Sequence, residues 1–401
     1  MKKYYISTLF LALFSFVWAQ NQDTLSNVYQ NKADQLLADN GKLNIGGYGE
    51  VHYNQPLKKD VQQLGQLDVH RIVMFLGYNF SSKTQFVTEI EFEYAKELWV
   101  EQAFIQHKIN PYLNFKAGLI LVPMGIVNEY HEPNTFNGVE RPIIDNKISP
   151  STWREVGFGF TGTILPASLK YQVYMMGGLN GYDTKGIFSG SKGLREGRQK
   201  GSKAYINSPA YTAKVEYYGI RNLNLGISYY GGKSQSKLFQ NLDRNDAQKL
   251  AIADSSIVNI NMLGIDGRYN WKGLQLRGQL YWVNMNNTDQ YNIFTRTNGV
   301  NNDLGSQMLG YYAEIGYNVF KLCSKTKTQL IPFFRYEFYD MHYAVGSTIT
   351  KNESYKNTIL TTGLTFKLND NVALKSDVQF VKSALDTEWA TTLNFGFGIM
   401  F

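Results

Sequence analysis

The 401-residue sequence has little of what usually stabilises a small exported protein or holds a chain in a membrane. It contains one cysteine, Cys323, so the class of small secreted domains held by disulfides is excluded. Only 9 prolines occur. After residue 19, no apolar run approaches the ~18 residues that a membrane-spanning helix needs. The mean hydropathy of −0.31 resembles that of a water-soluble chain. A transmembrane barrel gives a similar value, because every second strand residue faces a wet lumen.

Aromatic residues and glycine are abundant instead, with 28 Tyr, 24 Phe, 6 Trp and 36 Gly. The net charge of +7 is compatible with anion handling but decides nothing by itself. Aromatic residues concentrate near the ends of the apolar segments, as in the two interfacial girdles of a membrane barrel.

Period-two alternation recurs from residue 43 to the end of the chain. Within 84–94, Phe86 and Phe92 share one face, while Glu89 and Glu91 share the other. Such alternation indicates half-buried β-strands. Sixteen segments have roughly the ten-residue length of a tilted spanning strand. They are 43–53, 67–80, 84–94, 97–109, 113–122, 153–164, 169–178, 210–218, 223–232, 257–270, 273–283, 308–320, 328–340, 356–368, 372–382 and 389–401.

The connections between these segments alternate in length. Turns such as 81–83 and 271–272 are short, whereas 123–152 and 179–209 are long. Short periplasmic turns and long extracellular loops are typical of bacterial outer-membrane barrels, and an even strand count puts both termini in the periplasm. We therefore predict an all-β fold, a transmembrane antiparallel β-barrel of about 16 strands over residues 43–401. A soluble sandwich or propeller does not predict this asymmetry.

The two ends of the chain fit an exported barrel. Lys2, Lys3 and a short apolar run ending in Ala19 predict a signal peptide over residues 1–19, cleaved near Ala19. The final strand, 389–401, resembles the C-terminal signature strand that the barrel-assembly machinery reads, so Phe401 is predicted to be the assembly signal. An edge strand of a soluble sandwich is the alternative.

Residues 20–42 are predicted to form a short periplasmic segment before the barrel. Leu36 and Leu37 have loose helical spacing, and Gly41 is a candidate helix stop. A short helix or a disordered lead is expected. The alternative is that this segment partly plugs the pore. Cys323 is predicted to lie in a periplasmic turn and to have no role.

Charged strand residues are predicted to face the lumen, because Lys or Arg on the lipid face costs about 2–4 kcal/mol near the bilayer midplane. Segments 97–109 and 257–270 alternate poorly, so their facing is not predicted. The predicted lumen-wall residues are Arg71, Lys116, Arg268, Arg277, Arg335, Lys375, Glu89, Glu91 and Glu93.

The third outer loop, residues 123–152, holds four of the 9 prolines. Proline lowers the entropy cost of holding a loop in one shape, so this loop is suited to lining a constriction. For Glu129, His131 and Glu132, the alternative is a structural role, in which they form hydrogen bonds and salt bridges that hold the loop. One histidine with loosely spaced acids is weak evidence for a metal site, so no metal or other cofactor is predicted. The predicted constriction residues are Glu129, His131, Glu132, Glu140, Arg141 and Asp145.

Three stretches resemble the phosphate-selective porin O/P group of outer-membrane proteins. They are LILVPMGIVNEYHEP at 119–133, VERP at 139–142 and SPSTWREVGFGFTG at 149–162. The resemblance implies a sixteen-stranded diffusion channel with the third loop folded inward, and it allows a homotrimer. The best-studied members carry an arginine ladder in the lumen. Here the bases are spread along the wall and share it with acids.

We therefore predict a passive porin in the bacterial outer membrane for small hydrophilic solutes, anions among them, with no catalytic step. Loop carboxylates are expected to face wall bases across a narrow wet gap. The basic fourth loop, 189–203, either attracts anions or pairs with lipopolysaccharide phosphates. Predicted partners are the solutes, outer-membrane lipid and lipopolysaccharide, and the assembly machinery. Nucleic acid is not a predicted partner.

Two other functions stay open at this point. One is a transporter for hydrophobic substrates, which needs a plug and a lateral opening. The other is an adhesion or structural barrel whose loops bind a partner. Enzyme motifs fail: 226–234 is one residue too long for a phosphate-binding loop, and 186–190 has its serine in the wrong place for a nucleophile elbow.

Overall fold

A computed structural model describes residues 31–38, 41–322 and 326–401. The predictions for the signal peptide and for Cys323 lie outside these residues. Eighteen strands are described. They are β1 (Leu43–Leu57), β2 (Gln66–Asn79), β3 (Thr84–Glu93), β4 (Glu97–Asn110), β5 (Leu113–Leu121), β6 (Arg154–Ile164), β7 (Leu169–Met176), β8 (Asn180–Tyr182), β9 (Ala210–Tyr217), β10 (Leu223–Lys233), β11 (Gln235–Ser236), β12 (Asn259–Trp271), β13 (Leu274–Asn286), β14 (Gln307–Tyr317), β15 (Gln329–Ala344), β16 (Lys356–Asn369), β17 (Val372–Ser383) and β18 (Ala390–Met400).

Sixteen of these strands form one closed antiparallel barrel, as predicted, and β8 and β11 pair separately in the outer loops. The last strand closes the barrel against the first, with Val51 opposite Phe397. The backbone N–H of Phe401 donates to Gly47 O at 2.9 Å, and the reverse bond has the same length. Closure of this kind leaves no unpaired sheet edge. The barrel strands β1 and β15 extend beyond their predicted outer ends, because their pairing continues there, as between Leu57 and Thr391.

Apolar and polar side chains alternate across the wall as the sequence predicted. On β18, Phe395 and Phe397 are exposed on the outer face, while Asn394, next to Phe395, is 1% exposed. The apolar outer face is the surface that lipid would contact. Inward-facing residues pack against the third outer loop, so the protein's core lies inside the barrel.

Strand β4 explains why the alternation of 97–109 was unclear. Glu89 on β3 pairs with Gln102, and the next residue, Ile90, pairs with Val100. Glu101 is therefore the extra residue of a β-bulge. The bulge turns Glu101 and Gln102 to the same side, and both are buried.

Four α-helices are described: α1 (Lys32–Ala38), α2 (Ile144–Lys147), α3 (Ala247–Ser255) and α4 (Thr288–Phe294). None of the helices in the described residues is long and apolar enough to span a membrane. Helix α2 lies in the third loop, and α3 and α4 lie in outer loops.

Candidate functional site

The third outer loop, residues 123–152, enters the barrel and is held closed at its neck. Val122 N donates to Trp153 O at 3.0 Å where the loop leaves and rejoins the wall. The Asn128 side chain donates to the carbonyl groups of the same two residues, Val122 O at 2.7 Å and Trp153 O at 2.8 Å. Its amide oxygen accepts from Trp153 N at 2.7 Å. We call residues 123–152 the constriction loop.

On one side of the lumen, arginines and lysines of the wall hold the backbone of the constriction loop. Arg335 is fully buried and donates to Asn137 O at 2.6 Å and Glu140 O at 3.2 Å. Its Nε also donates to Glu314 at 2.7 Å. Two further bases repeat this pattern, since Arg277 donates to Thr135 O and Lys367 to Asn134 O. The expected wet gap between loop acids and these wall bases is therefore wrong, because the bases contact loop carbonyl oxygens directly.

Gly138 allows the loop backbone to approach this wall. Its φ is +79°, a conformation that other residues rarely adopt. A Cβ at this position would lie 3.1 Å from the Phe333 ring and 3.2 Å from the Asp377 carboxylate. The following Val139 N–H donates to the same carboxylate at 2.7 Å.

Glu129 is the loop carboxylate that pairs with a wall lysine in the described residues. Its Oε2 lies 2.7 Å from Lys214 Nζ, and its Oε1 accepts from Gln172 at 2.5 Å. Lys214 also donates to Gly125 O at 2.7 Å. The pair is buried, which makes it a structural anchor of the loop.

On the opposite side of the lumen, the wall supplies carboxylates and the loop supplies the cations. His131 Nε2 lies 3.3 Å from Glu89 and 3.3 Å from Glu101. Burial lowers the pKa of His131, but the hydrogen bonds to Glu101 and Glu89 outweigh burial and raise it to about 10. Arg141 lies 3.8 Å from Glu50 and donates to His131 O at 3.0 Å.

The other loop acids are held by neutral groups or histidine. Burial favours the neutral form of Glu140, but its hydrogen bond to His52 at 3.2 Å lowers its pKa to about 2. Asp145 accepts from Gln279 and Tyr281, each at 2.7 Å. Burial outweighs these bonds and raises the pKa of Asp145 to about 6.

Two cavities flank the constriction loop, and both are lined by Phe136. The outer cavity has a volume of about 470 Å³ and is also lined by Arg71, Glu93 and Arg141. The inner cavity has a volume of about 390 Å³ and lies near Arg277. The Phe136 side chain is buried between them.

Lys375 covers Phe136 at this boundary. Its Nζ lies 3.8 Å from the centroid of the Phe136 ring. The ammonium is buried and makes no hydrogen bond within the described residues. Unlike Arg277 and Arg335, Lys375 therefore keeps its donors free of loop carbonyl groups.

Helix α1 closes part of the inner end of the lumen. Asn31 caps the helix by accepting from Asp34 N at 2.8 Å. Lys32 N donates to Glu132 at 2.7 Å, and Asp34 pairs with Lys170 at 2.7 Å. Asn31 also donates to Glu129 O at 3.0 Å. Residues 31–38 therefore contact the constriction loop and the wall, as the alternative of a partial plug expects, while the periplasmic location of residues 20–42 stays a prediction.

The basic fourth loop folds over the outer end of the constriction loop. Arg195 and Arg198 both donate to Ser151 O, and Arg195 lines the outer cavity. Lys200 lies 4.1 Å above the Trp99 ring. Lys192 remains exposed.

The remaining predicted wall residues make contacts within the lumen. Arg71 pairs with Glu91 at 3.3 Å, and Arg268 pairs with Glu216 at 2.9 Å. Lys116 lies 3.8 Å above the Phe104 ring. The candidate residues that sequence reasoning did not select are Glu101, His52, Phe136 and Tyr281. Alternation puts His52 on the face of Glu50 and Tyr281 on the face of Arg277, but it gives no signal for the bulged Glu101 or for Phe136 in the loop.

Comparisons with known proteins support the fold. No family model matches the chain. It is 29% identical over 364 residues to an uncharacterized protein of Aquifex aeolicus (strain VF5), covering 88% of this chain and 77% of that protein. The resemblance to the phosphate-selective group therefore stays a prediction.

Two solved structures show the same architecture. The anion-selective porin from Comamonas acidovorans has a TM-score of 0.55 at 11% identity, covering 90% of this chain and 99% of that one. The trimer form of Vibrio cholerae OmpT, an outer membrane protein, has a TM-score of 0.52 at 9% identity, covering 90% and 100%. The chain thus has the fold of the outer-membrane porins.

Proposed function

We propose that the protein is an outer-membrane channel through which small hydrophilic solutes diffuse, with a weak preference for anions. The observation that carries this proposal is the constriction loop, which lies inside the barrel between two cavities that share Phe136. A loop that narrows a closed barrel selects solutes by width and by the charges at its edge. No catalytic step is part of the proposal.

The preference for anions is assigned to Lys375. The bases Arg277, Arg335 and Lys367 are hydrogen-bonded to the loop, so their charges serve its anchoring. Lys375 contacts Phe136, which lines both cavities, and makes no such bond in the described residues. A cation there lowers the energy of a passing anion and raises that of a passing cation.

Planar-bilayer recording of the full-length protein tests the channel proposal. We expect steady ohmic current steps, and a zero-current potential in a salt gradient that shows weak anion preference. A folded barrel that gives no current would contradict the proposal and favour an adhesion or structural role.

A transporter for hydrophobic substrates is less well supported than a channel. Helix α1 provides a partial plug, which such a transporter needs. However, every neighbouring strand pair around the described barrel is hydrogen-bonded, so the wall has no lateral opening. Charged residues such as Arg71, Glu93 and Arg141 line the outer cavity, which disfavours apolar solutes.

We propose in addition that the channel assembles as a homotrimer. The support is the trimer form of the similar Vibrio cholerae structure. Light scattering of the detergent-purified protein, corrected for bound detergent, should give three times the chain mass. A mass of one chain would contradict this assembly.

A further inference from the structure

Three ligand-type atoms from separate parts of the chain meet in the wall beneath the constriction loop. His131 Nε2 belongs to the loop, and the carboxylates of Glu89 and Glu101 belong to β3 and β4. The imidazole nitrogen lies 3.3 Å from an oxygen of each carboxylate, and all three atoms lie within 4.8 Å of one another. Glu89 and Glu101 are 0% exposed and His131 is 2% exposed.

The β-bulge in β4 delivers one of these groups. In a regular strand, Glu101 and Gln102 would point to opposite faces of the sheet. Because Glu101 is the bulged residue opposite Glu89 and Ile90, its carboxylate turns inward toward His131. Bulges that re-aim a side chain are common next to functional sites.

A neighbouring residue contacts the far side of the His131 ring and of each carboxylate. His131 Nδ1 faces Asn128 O at 3.3 Å, which leaves Nε2 directed at the carboxylates. Gln102 donates to Glu89 Oε2 at 2.8 Å, and Arg154 donates to Glu101 Oε1 at 3.2 Å. Metal ligands in proteins are oriented by second contacts of this kind, most often a carbonyl group on the far nitrogen of a histidine.

The remaining carboxylate oxygens have long contacts. Glu101 Oε2 is buried and lies 3.3 Å from His131 Nε2, and Glu89 Oε1 accepts from the Tyr48 hydroxyl at 3.4 Å. Glu89 has no lysine or arginine within salt-bridge distance there, since Arg71 pairs with Glu50 and Glu91. The two separations of 3.3 Å exceed the roughly 2.7–2.9 Å of a charge-assisted hydrogen bond. They match the ligand-to-ligand separation of about 3.4 Å that bonds of about 2.0–2.2 Å give around tetrahedral zinc.

We propose that Glu89, Glu101 and His131 bind one divalent transition-metal ion of the zinc type, which fastens the constriction loop to β3 and β4. One imidazole and two carboxylates suit such an ion, and the fourth position is left for a water molecule. The ion would replace the direct contact of His131 with Glu89 and Glu101 by three metal bonds, one from the loop and two from the wall. Metal binding does not depend on conduction, so its test is independent of the test of the channel proposal.

Because the site is fully buried, the metal should be supplied during folding. Full-length protein is refolded into detergent with and without ZnCl₂, washed with chelator, and analysed for zinc by mass spectrometry. We expect about one zinc per chain and a higher unfolding temperature only for protein refolded with zinc. Co²⁺ in place of zinc should give the visible absorption of a tetrahedral site.

Four variants locate the ion. His131→Gln and Glu101→Gln should lose the retained zinc, while His107→Gln, an exposed histidine on the same strand as Glu101, should keep it. Gln102→Ala should weaken retention by about 10- to 100-fold, the usual cost of removing an outer partner. Heat-modifiable migration confirms that each variant is folded, and Glu101→Gln serves if His131→Gln does not refold.

Absence of zinc in the wild-type protein refolded with ZnCl₂ would overturn the proposal. Equal retention by folded Glu101→Gln would overturn it too, since the ion would then bind elsewhere. In either case, His131 would instead be a protonated histidine that pairs with Glu89 and Glu101.

Discussion

On the side of the lumen formed by β1 to β4, the wall presents carboxylates to the constriction loop, and His131 and Arg141 of the loop meet them. On the side formed by β13 to β16, the wall presents arginine and lysine, and the loop meets them with backbone carbonyl oxygens. One loop is thus held by its side chains on one side and by its backbone on the other.

The difference affects what each side can do for selectivity. A base that donates to a loop carbonyl is tied to the loop, although Arg277 and Lys367 still line the inner cavity. The acidic side holds its charge in buried pairs, such as Arg71 with Glu50 at 2.7 Å. On both sides, most of the charged groups therefore hold the loop or the wall together. Lys375 differs in that it donates to no loop carbonyl group, and it is the cation to which we assign the anion preference.

The largest effect is expected from breaking the basic side. Arg335→Met removes the guanidinium that holds two loop carbonyl groups and leaves Glu314 as a buried, unpaired carboxylate. Removing one partner of a buried ion pair costs about 3–5 kcal/mol. Chemical unfolding in detergent should show a loss of this size, while Arg221→Met in an exposed turn should be close to neutral. Equal stabilities would show that the loop is not held by this side.

The next largest effect is expected at the acidic side, where α1 docks. Deleting residues 31–38 removes the contacts to Glu132 and Lys170 and opens the inner end of the lumen. Single-channel conductance should rise in the deletion variant. Deleting residues 20–30 instead leaves α1 in place and should change conductance less. A deletion of 31–38 with wild-type conductance would show that α1 does not narrow the route.

Lys375→Met should change selectivity without breaking the loop. At about 7 Å in a wet lumen, one unit charge changes the energy of a passing ion by roughly 0.6 kcal/mol. The anion-to-cation permeability ratio, read from the zero-current potential, should fall several-fold. Lys192→Met, on the exposed part of the fourth loop, should leave it nearly unchanged. A larger shift in Lys192→Met than in Lys375→Met would show that selectivity is set at the channel mouth.

The smallest effect concerns pH and the Glu140–His52 contact. The pKa of Glu140 is about 2, below the value of about 4.3 for an unfolded chain. Because the folded pKa is the lower one, this contact stabilises the protein above about pH 4.3, and its contribution is lost as the pH falls toward 2. The unfolding temperature of the wild type should fall more between pH 6 and pH 3 than that of Glu140→Gln. Parallel curves would contradict a role for this contact.

The barrel could be predicted from sequence because alternation is a local property of each strand. All sixteen predicted strands are present, and the facing of 84–94 is as predicted, with Glu89 and Glu91 inward. Strand β4 could not be read in this way, because the bulge at Glu101 shifts the alternation by one residue and leaves no mark in composition.

The candidate site was predicted less completely. The charges of Glu129, Glu140 and Arg141 identified the loop, but their partners depend on how the loop folds. The anchoring of Arg277 and Arg335 could not be predicted, since every residue offers the same backbone carbonyl group. Phe136 was missed because an aromatic residue in a loop has many ordinary explanations.

We propose that solutes pass between the two cavities at Phe136. It is tested most directly by Phe136→Cys in a Cys323→Ser background, recorded in a bilayer while a charged, thiol-specific methanethiosulfonate reagent is added. We expect a stepwise and lasting fall in the current of this variant, and no change for Cys323→Ser alone. An unchanged current, with the thiol shown by mass spectrometry to be modified, would contradict it.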